Sequence, residues 1–173
     1  MTVSIEPMKF CHVDKVSSIE DVVYTSPWSK YAFINEILDN GFASYFVALD
    51  SDEVIGYAGI WLILDEAHIT TLAVCPQWQS KGLGRVLLAH LISVAAAKGA
   101  TRMTLEVRVS NFRAQELYRK FGFVGCGVRP NYYPDEDALI MWLDKLRVAA
   151  EAYAQDSLID NARLAHRLDG DWK

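Results

Sequence analysis

One acidic side chain and one phenol form a pair that could move protons. Glu106 lies between two apolar residues of a strand-like segment, so strand alternation turns it away from their face, toward solvent or a cleft. Tyr118 follows Asn111 by seven positions, which on a helix places the two within about 20° of one face and about 10 Å apart along the axis. A carboxylate that accepts a proton and a phenol that donates one suit acyl transfer to an amine. Taken alone, the acid is equally typical of a solvent-facing strand, and the tyrosine is more typical of a core.

A glycine-containing loop precedes the longest apolar helix pattern and predicts an anion site. It contains Ser80, Lys81, Gly82, Leu83, Gly84 and Arg85. Glycines let the backbone approach a ligand closely, and the free N–H groups at a helix start favour anions. A Walker loop is excluded because no Gly-Lys-Ser/Thr sequence follows, and Leu87 at the third glycine position disfavours a dinucleotide fold. A plain tight turn is the alternative.

The hydrophobic pattern predicts a layered α/β (α+β) domain that would position these residues. Strands are predicted at 3–6, 44–49, 54–64, 67–75, 102–107, 123–129 and 138–143. Helices are predicted at 11–24, at 30–40 closed by Gly41, at 82–98 closed by Gly99, and from Asn111 as N-cap to 121 closed by Gly122. Residues 1–146 are interpreted as one domain and 147–173 as an Ala-rich helical tail with no visible chemistry.

Composition places the chain among globular proteins and excludes several functions. The 173 residues are 51% hydrophobic and 23% charged, which is a folded rather than a disordered balance. The formal net charge of −5 argues against broad nucleic-acid binding. Three scattered cysteines and four histidines show no metal-ligand spacing, so no metal is expected. The start lacks a secretory pattern and no apolar run reaches membrane-spanning length, which favours a cytoplasmic protein without membrane contact.

Several linked motifs make the chain resemble the GNAT acetyltransferases. They are residues 72–76 (LAVCP), the spacing Gln79-x-x-Gly82-x-Gly84, and Asn111 with Tyr118. More narrowly, four segments resemble the bacterial ribosomal-protein-alanine N-acetyltransferases of the RimI type: SPWS (26–29), DEAHITTLAV (65–74), TLEVRVSN (104–111) and RPNYYPDEDALIM (129–141). The resemblance spans about residues 3–145 and leaves out the tail. It implies a mixed, mostly antiparallel central sheet with a splayed strand pair and flanking helices.

The resemblance also implies roles for individual residues. Glu106 would be the general base, acting directly or through water, and Tyr118 the general acid. Acetyl-CoA would be the cosubstrate, contacted by Asn111, by the backbone of Leu72, Ala73 and Val74 along the pantetheine arm, and by Ser80 to Arg85 around the pyrophosphate. The acceptor would be the N-terminal alanine of a small-subunit ribosomal protein. Ser80 stands where such loops often carry arginine, which predicts weaker electrostatics at an otherwise intact site.

Two loops hold candidates for the acceptor side. Trp28, Arg129, Tyr132 and Tyr133 could wall a channel for a short extended peptide, because aromatic side chains pack such a peptide at low entropy cost. The acidic run at 135–137 could attract a basic N-terminal tail. An aromatic turn with a solvated acidic run is an equally good interpretation of the same residues. His68 is interpreted as structural.

Two other functions stay open at this point. The same chemistry could serve a polyamine, an antibiotic amine or a lysine, because a fold does not determine its substrate. A coenzyme-A-binding module without catalysis is the other, although the intact pair of Glu106 and Tyr118 disfavours it. An α-amino group has a pKa of about 8, against about 10.4 for lysine, so it is the easier nucleophile to deprotonate near neutral pH. Only the SPWS and NYYP segments favour the peptide.

Overall fold

A computed structural model describes residues 3–154 of the chain. Its strands are β1 (Val3–Pro7), β2 (Ala43–Asp50), β3 (Glu53–Ile63), β4 (Glu66–Val74), β5 (Arg102–Arg108), β6 (Val124–Arg129) and β7 (Ala138–Leu143). They form one sheet in the order β1-β2-β3-β4-β5-β7-β6. Its helices are α1 (Val13–Val23), α2 (Lys30–Leu38), α3 (Leu83–Ala97) and α4 (Phe112–Lys120), with short 3-10 turns at Phe10–His12 and Pro76–Trp78. The layered α/β fold with a mixed sheet is confirmed.

The sequence patterns place the elements to within a few residues, with one wrong helix end. Gly99 and Gly122 take the left-handed conformation expected after a helix. Gly41 does not, because α2 ends earlier, at Leu38. The N–H groups of Asp39 and Asn40 both donate to the Asn35 carbonyl, and the Asn40 side chain accepts the N–H of Phe42. The asparagine thus turns the chain before the glycine is reached.

Two apolar clusters lie on opposite faces of the sheet. One packs α3 against the sheet through Leu87, Leu91 and other fully buried side chains. The other packs α1 and α2 against the opposite face through Val16 and Phe33. Because both faces are covered, the strand ends in the middle of the sheet are the places where a ligand can reach the backbone.

The sheet opens between β4 and β5. These two strands pair in parallel only from Glu66 with Arg102 to Ile69 with Leu105. Residues 70–74 of β4 and 106–108 of β5 continue without pairing to each other, and we call the space between them the gap. A register shift in the β3–β4 ladder falls just before the gap, next to Gly59. Such a bulge bends a strand and increases its twist, which turns β4 away from β5.

The Tyr45 ring packs over Gly59 at the bulge, where any larger residue than glycine would collide with it. A Cβ atom on Gly59 would lie 2.3 Å from the ring of Tyr45. The Tyr45 hydroxyl lies 2.7 Å from Oγ1 of Thr70, the residue at which β4 leaves its parallel pairing. The position of the gap therefore depends on a contact between β2, β3 and β4.

The first part of the predicted tail packs against the domain. Residues 146–154 are helical, and the Tyr153 ring lies 4.3 Å from that of Phe121. The Tyr153 hydroxyl donates to the Lys120 carbonyl at 2.7 Å. The remainder of the predicted helical tail, 155–173, lies outside the described residues. None of the helices within 3–154 combines the length and apolarity needed to cross a bilayer.

Candidate active site

The gap exposes backbone N–H groups of β4. The N–H of Cys75 donates to the Ile55 carbonyl of β3, so by strand alternation Ala73 also directs its backbone toward β3. Leu72 and Val74 then direct theirs into the gap. The Leu72 carbonyl accepts the Tyr24 hydroxyl at 2.7 Å and the Val74 carbonyl accepts Gln79 Nε2 at 3.1 Å. The carbonyls of Leu72 and Val74 are thus occupied, and their N–H groups are placed to donate to a ligand in the gap. The Ala73 N–H faces β3 and is not.

The glycine loop ends in the N-terminus of α3, beside the gap. Gly82 is the N-cap, with φ of 99°, a left-handed conformation that favours glycine. The Arg85 N–H donates back to the Gly82 carbonyl, which leaves the N–H groups of Leu83 and Gly84 without a partner inside the helix. A Cβ atom on Gly84 would contact the side chains of Leu117, Val74 and Leu72 at 3.6–3.9 Å. The helix start therefore lies against the end of β4 and offers free donors to an anion.

Three cationic side chains lie at or near the predicted anion site, and each has different contacts. The Lys81 ammonium lies 5.4 Å from the centre of the Trp78 ring. The Arg85 guanidinium lies over Phe121 and Tyr153, at 5.3 and 5.9 Å from their ring centres. The sequence did not indicate Arg113, which reaches the loop from α4. Its approach depends on tertiary packing, and no local pattern would have found it.

Glu106 projects from β5 between the side chains of His68 and Arg129. Its carboxyl is 11% exposed, with His68 Nε2 at 2.6 Å from one oxygen and Arg129 at 3.1 Å from the other. The hydrogen bond with His68 is the largest effect and lowers the pKa of Glu106. Burial acts in the opposite direction, and the charge and hydrogen bond of Arg129 lower the pKa further. The group is therefore a carboxylate at neutral pH.

His68 contacts the carboxyl of Glu106, which the sequence did not indicate. It lies on β4 opposite Thr104 of β5, so its side chain shares a sheet face with that of Glu106, two residues further along. The polar alternation Glu66, His68, Thr70 on β4 was the available signal. It points to this face only once the pairing of β4 with β5 is known.

Tyr118 is buried on α4, with its side chain 8% exposed and its ring 5.7 Å from that of Phe123. Burial raises the pKa of its phenol, and the nearby phenols of Tyr24 and Tyr133 raise it further. Its hydroxyl makes no hydrogen bond to any residue within 3–154. This phenol is therefore protonated at neutral pH, with its proton uncommitted to the described part of the protein.

The phenols around Tyr118 connect it to both sides of the gap. Tyr24 reaches the Leu72 carbonyl of β4, and burial raises the pKa of its hydroxyl to about 12. The Tyr133 hydroxyl donates to the Glu106 carbonyl of β5 at 3.4 Å. Asn111 starts the same helix as Tyr118, and its side chain caps the Ala114 N–H at 3.1 Å. The predicted acid, base and cap are thus brought to one region.

The acidic run expected to attract a basic peptide makes contacts within the protein. Arg108 donates to Asp135 at 2.6 Å and to Glu136 at 2.9 Å, and its other nitrogen donates to Thr25 between α1 and α2. The carboxylate of Asp137 accepts the Asn131 N–H at 2.8 Å. Through Arg108, Asp135 and Glu136 hold the β6–β7 loop against the α1–α2 loop.

Of the residues predicted for the acceptor side, Arg129, Tyr132 and Tyr133 lie near Glu106. Arg129 lies over the Tyr132 ring at 5.1 Å, and the Tyr132 and Tyr133 rings meet edge to face at 5.0 Å. Trp28 is half-buried, with its ring 5.6 Å from that of Phe33, and its backbone N–H donates to the buried carboxyl of Glu20. In the described part of the chain, no group of three His, Cys, Asp or Glu side chains could hold a metal ion.

Comparison with known proteins gives a consistent result. Residues 13–123 match the acetyltransferase (GNAT) family. A Bacillus subtilis (strain 168) protein is 43% identical over 142 residues, covering 81% of this chain and 94% of the relative. The activity assigned to that relative, [ribosomal protein bS18]-alanine N-acetyltransferase, is itself provisional.

Two solved structures are also similar. The crystal structure of the ribosomal-protein-S18-alanine N-acetyltransferase from Escherichia coli has a TM-score of 0.77 and 33% identity, covering 83% of this chain and 94% of that one. Arabidopsis thaliana NAA60 in complex with acetyl-CoA has a TM-score of 0.75, covering 83% of this chain and 98% of that one. Its identity is 16%, so it shows likeness of fold alone.

Proposed function

This chain belongs to the acetyltransferase (GNAT) family, and on that premise we propose that it transfers the acetyl group of acetyl-CoA to the N-terminal alanine of ribosomal protein bS18. The observation that carries the proposal is the similarity, at 43% and 33% identity over most of both chains, to proteins named for that reaction. The chain is thus an acyltransferase.

The gap and the α3 N-terminus fit a long, phosphorylated cosubstrate. The N–H groups of Leu72 and Val74 line the gap edge and suit the amides of a pantetheine arm. The donors of Leu83 and Gly84, with the helix dipole, suit a pyrophosphate. When bound, acetyl-CoA would supply an acyl group on a thiol that can leave.

Glu106 is the proton acceptor in this proposal. An α-ammonium group has a pKa of about 8, so a sizeable fraction is the neutral nucleophile near that pH. The nitrogen becomes strongly acidic as its new bond to carbon forms, and a carboxylate of low pKa then suffices to take its proton, directly or through one water. His68 and Arg129 hold the carboxylate oriented and ionised at 2.6 and 3.1 Å.

Tyr118 is the proton donor in this proposal. Burial raises the pKa of its phenol, so it is protonated at neutral pH, and its hydroxyl donates to no residue within 3–154. The phenol would donate its proton to sulfur as the carbon–sulfur bond breaks, while Glu106 takes one proton from the amine, so the enzyme ends with no net gain or loss of protons. Because a free thiol has a pKa of about 8.5, below that of the phenol, this transfer would take place in concert with bond cleavage and the phenolate would recover a proton from solvent. Tyr24 and Tyr133 lie beside it and link it to Leu72 and Glu106, on the two sides of the gap.

The acceptor peptide would enter between the α1–α2 and β6–β7 loops. Arg108 fastens these loops together through Thr25, Asp135 and Glu136. A channel held this way is preorganised, which reduces the entropy lost on peptide binding. At its mouth the Arg129 guanidinium packs on one face of the Tyr132 ring. The opposite face of that ring would contact the first residues of the peptide.

The proposal is tested with a peptide that carries the bS18 N-terminus and an internal lysine. Mass spectrometry should locate the acetyl group on the α-amine and none on the lysine. Glu106→Gln should lower kcat by about 10²–10⁴-fold, the usual contribution of a positioned base. The matched control is Glu53→Gln, an exposed acid on β3 that, within residues 3–154, forms an ion pair only with Lys15 at the surface, and it should keep the wild-type rate. Faster transfer to spermidine or lysine than to the α-amine would contradict the assigned substrate.

A further inference from the structure

An arginine outside the glycine loop reaches into it. Arg113, in the first turn of α4, donates to Oε1 of Gln79 and to Oγ of Ser80, both at 3.2 Å. Ser80 has φ of 63°, a left-handed conformation that is uncommon for a residue with a side chain. The guanidinium is therefore held by two contacts against the loop that leads into α3.

Both partners of this guanidinium are neutral oxygens. Within residues 3–154, Arg113 has no carboxylate at ion-pair distance. Arg108, by contrast, is paired with two carboxylates, and Arg102 is paired with Glu66. A guanidinium carries five N–H donors in a planar fork that matches a phosphate, so donors and charge remain for a ligand.

Positive charge is concentrated around the exposed Arg113. Arg113 lies in the first turn of α4 and beside the first turn of α3, and each helix start carries a partial positive charge. Neither first turn contains an acidic residue. Two helix starts and a cation thus converge, with no acidic residue in either first turn, and a bound anion would be stabilised there.

We propose that Arg113 binds a phosphate group of the coenzyme A moiety and supplies from α4 the charge that Ser80 does not supply within the loop. The inference rests on the proposed function, since it assumes that this loop holds acetyl-CoA. It assigns the residue to binding rather than to acid–base chemistry. The pyrophosphate and the 3′-phosphate share the chemistry that a guanidinium recognises, and the experiment separates them.

The test compares Arg113→Ala with Arg119→Ala in the full-length chain. Arg119 lies on the same helix, is exposed and donates to Gln115 at 3.0 Å, so the two variants lose the same charge from one helix. Isothermal titration with coenzyme A should show about tenfold or greater weakening for Arg113→Ala and less than twofold for Arg119→Ala, as expected for one charge-assisted hydrogen-bonded contact. Arg113→Lys should recover part of the loss.

Dephospho-coenzyme A, which lacks the 3′-phosphate, identifies the group that is bound. Equal weakening with both ligands assigns Arg113 to the pyrophosphate, and weakening with coenzyme A alone assigns it to the 3′-phosphate. In either case KM for acetyl-CoA rises while kcat at saturation is unchanged, which a misfolded variant would not show. Equal affinities of the two alanine variants overturn the inference. Absence of binding by the wild-type chain would instead overturn the proposed function.

Discussion

Replacing Tyr118 with phenylalanine should separate catalysis from stability. The Tyr118 hydroxyl makes no hydrogen bond to residues 3–154, whereas the ring packs against Phe123 at 5.7 Å and would be kept. No hydrogen bond and no packing are lost, so the free energy of unfolding should change by less than about 0.5 kcal/mol. If the phenol protonates the departing thiolate, kcat should nevertheless fall by about 10²-fold or more.

Tyr24→Phe is the matched comparison. Its hydroxyl donates to the Leu72 carbonyl at 2.7 Å, and the variant leaves that carbonyl without its partner. The expected loss of stability is about 1–2 kcal/mol, the effect of an unsatisfied half-buried acceptor. Both substitutions remove one hydroxyl from neighbouring phenols. Tyr24→Phe should lose more stability, whereas Tyr118→Phe should lose more of kcat.

The assay pairs urea unfolding with initial rates at saturating acetyl-CoA and bS18 peptide, following release of the free thiol. The reasoning about Tyr118 is refuted if Tyr118→Phe keeps the wild-type kcat across pH 6–9. It is equally refuted if the variant unfolds about 2 kcal/mol more easily and its lost activity follows its unfolded fraction, since a structural role would then explain both results.

Three further predictions concern stability. Burial raises the pKa of Glu20 to about 7 from 4.5, so the native state binds this proton more tightly than the unfolded state. The free energy of unfolding of the wild type, measured with urea, should therefore fall by up to about 3 kcal/mol relative to Glu20→Gln as the pH rises from 4.5 to 8. Gly82→Ala should cost about 1–2 kcal/mol, measured the same way, because φ of 99° strains a side chain although space is open. Asn111→Ala should cost about 1 kcal/mol through the lost cap to Ala114, while Asn111→Ser should recover most of it. The Glu20 argument is contradicted if the stability difference between wild type and Glu20→Gln does not change with pH. The other two are contradicted if Gly82→Ala or Asn111→Ala unfolds with the wild-type free energy.

Local features of the chain were readable from the sequence because neighbours decide them. Asn111 was predicted as an N-cap and does accept the Ala114 N–H. Gly99 and Gly122 were predicted to close helices and have the required positive φ. The one failure, Gly41, lay next to Asn40, whose side chain satisfies the Phe42 N–H. Two residues able to end the same helix compete, and the pattern does not rank them.

The sequence by itself determined the alternation of strands and helices, the location of Glu106 on a strand and Tyr118 on a helix, and the glycine loop before α3. Each of these depends on residues that are close together in the sequence. Tertiary structure alone decided where β4 parts from β5, which rests on Tyr45 over Gly59. It also brought His68 to Glu106 across 38 positions and Arg113 to Ser80 across 33. Such contacts depend on strand order and register, and hydrophobic periodicity carries no information on which elements become neighbours.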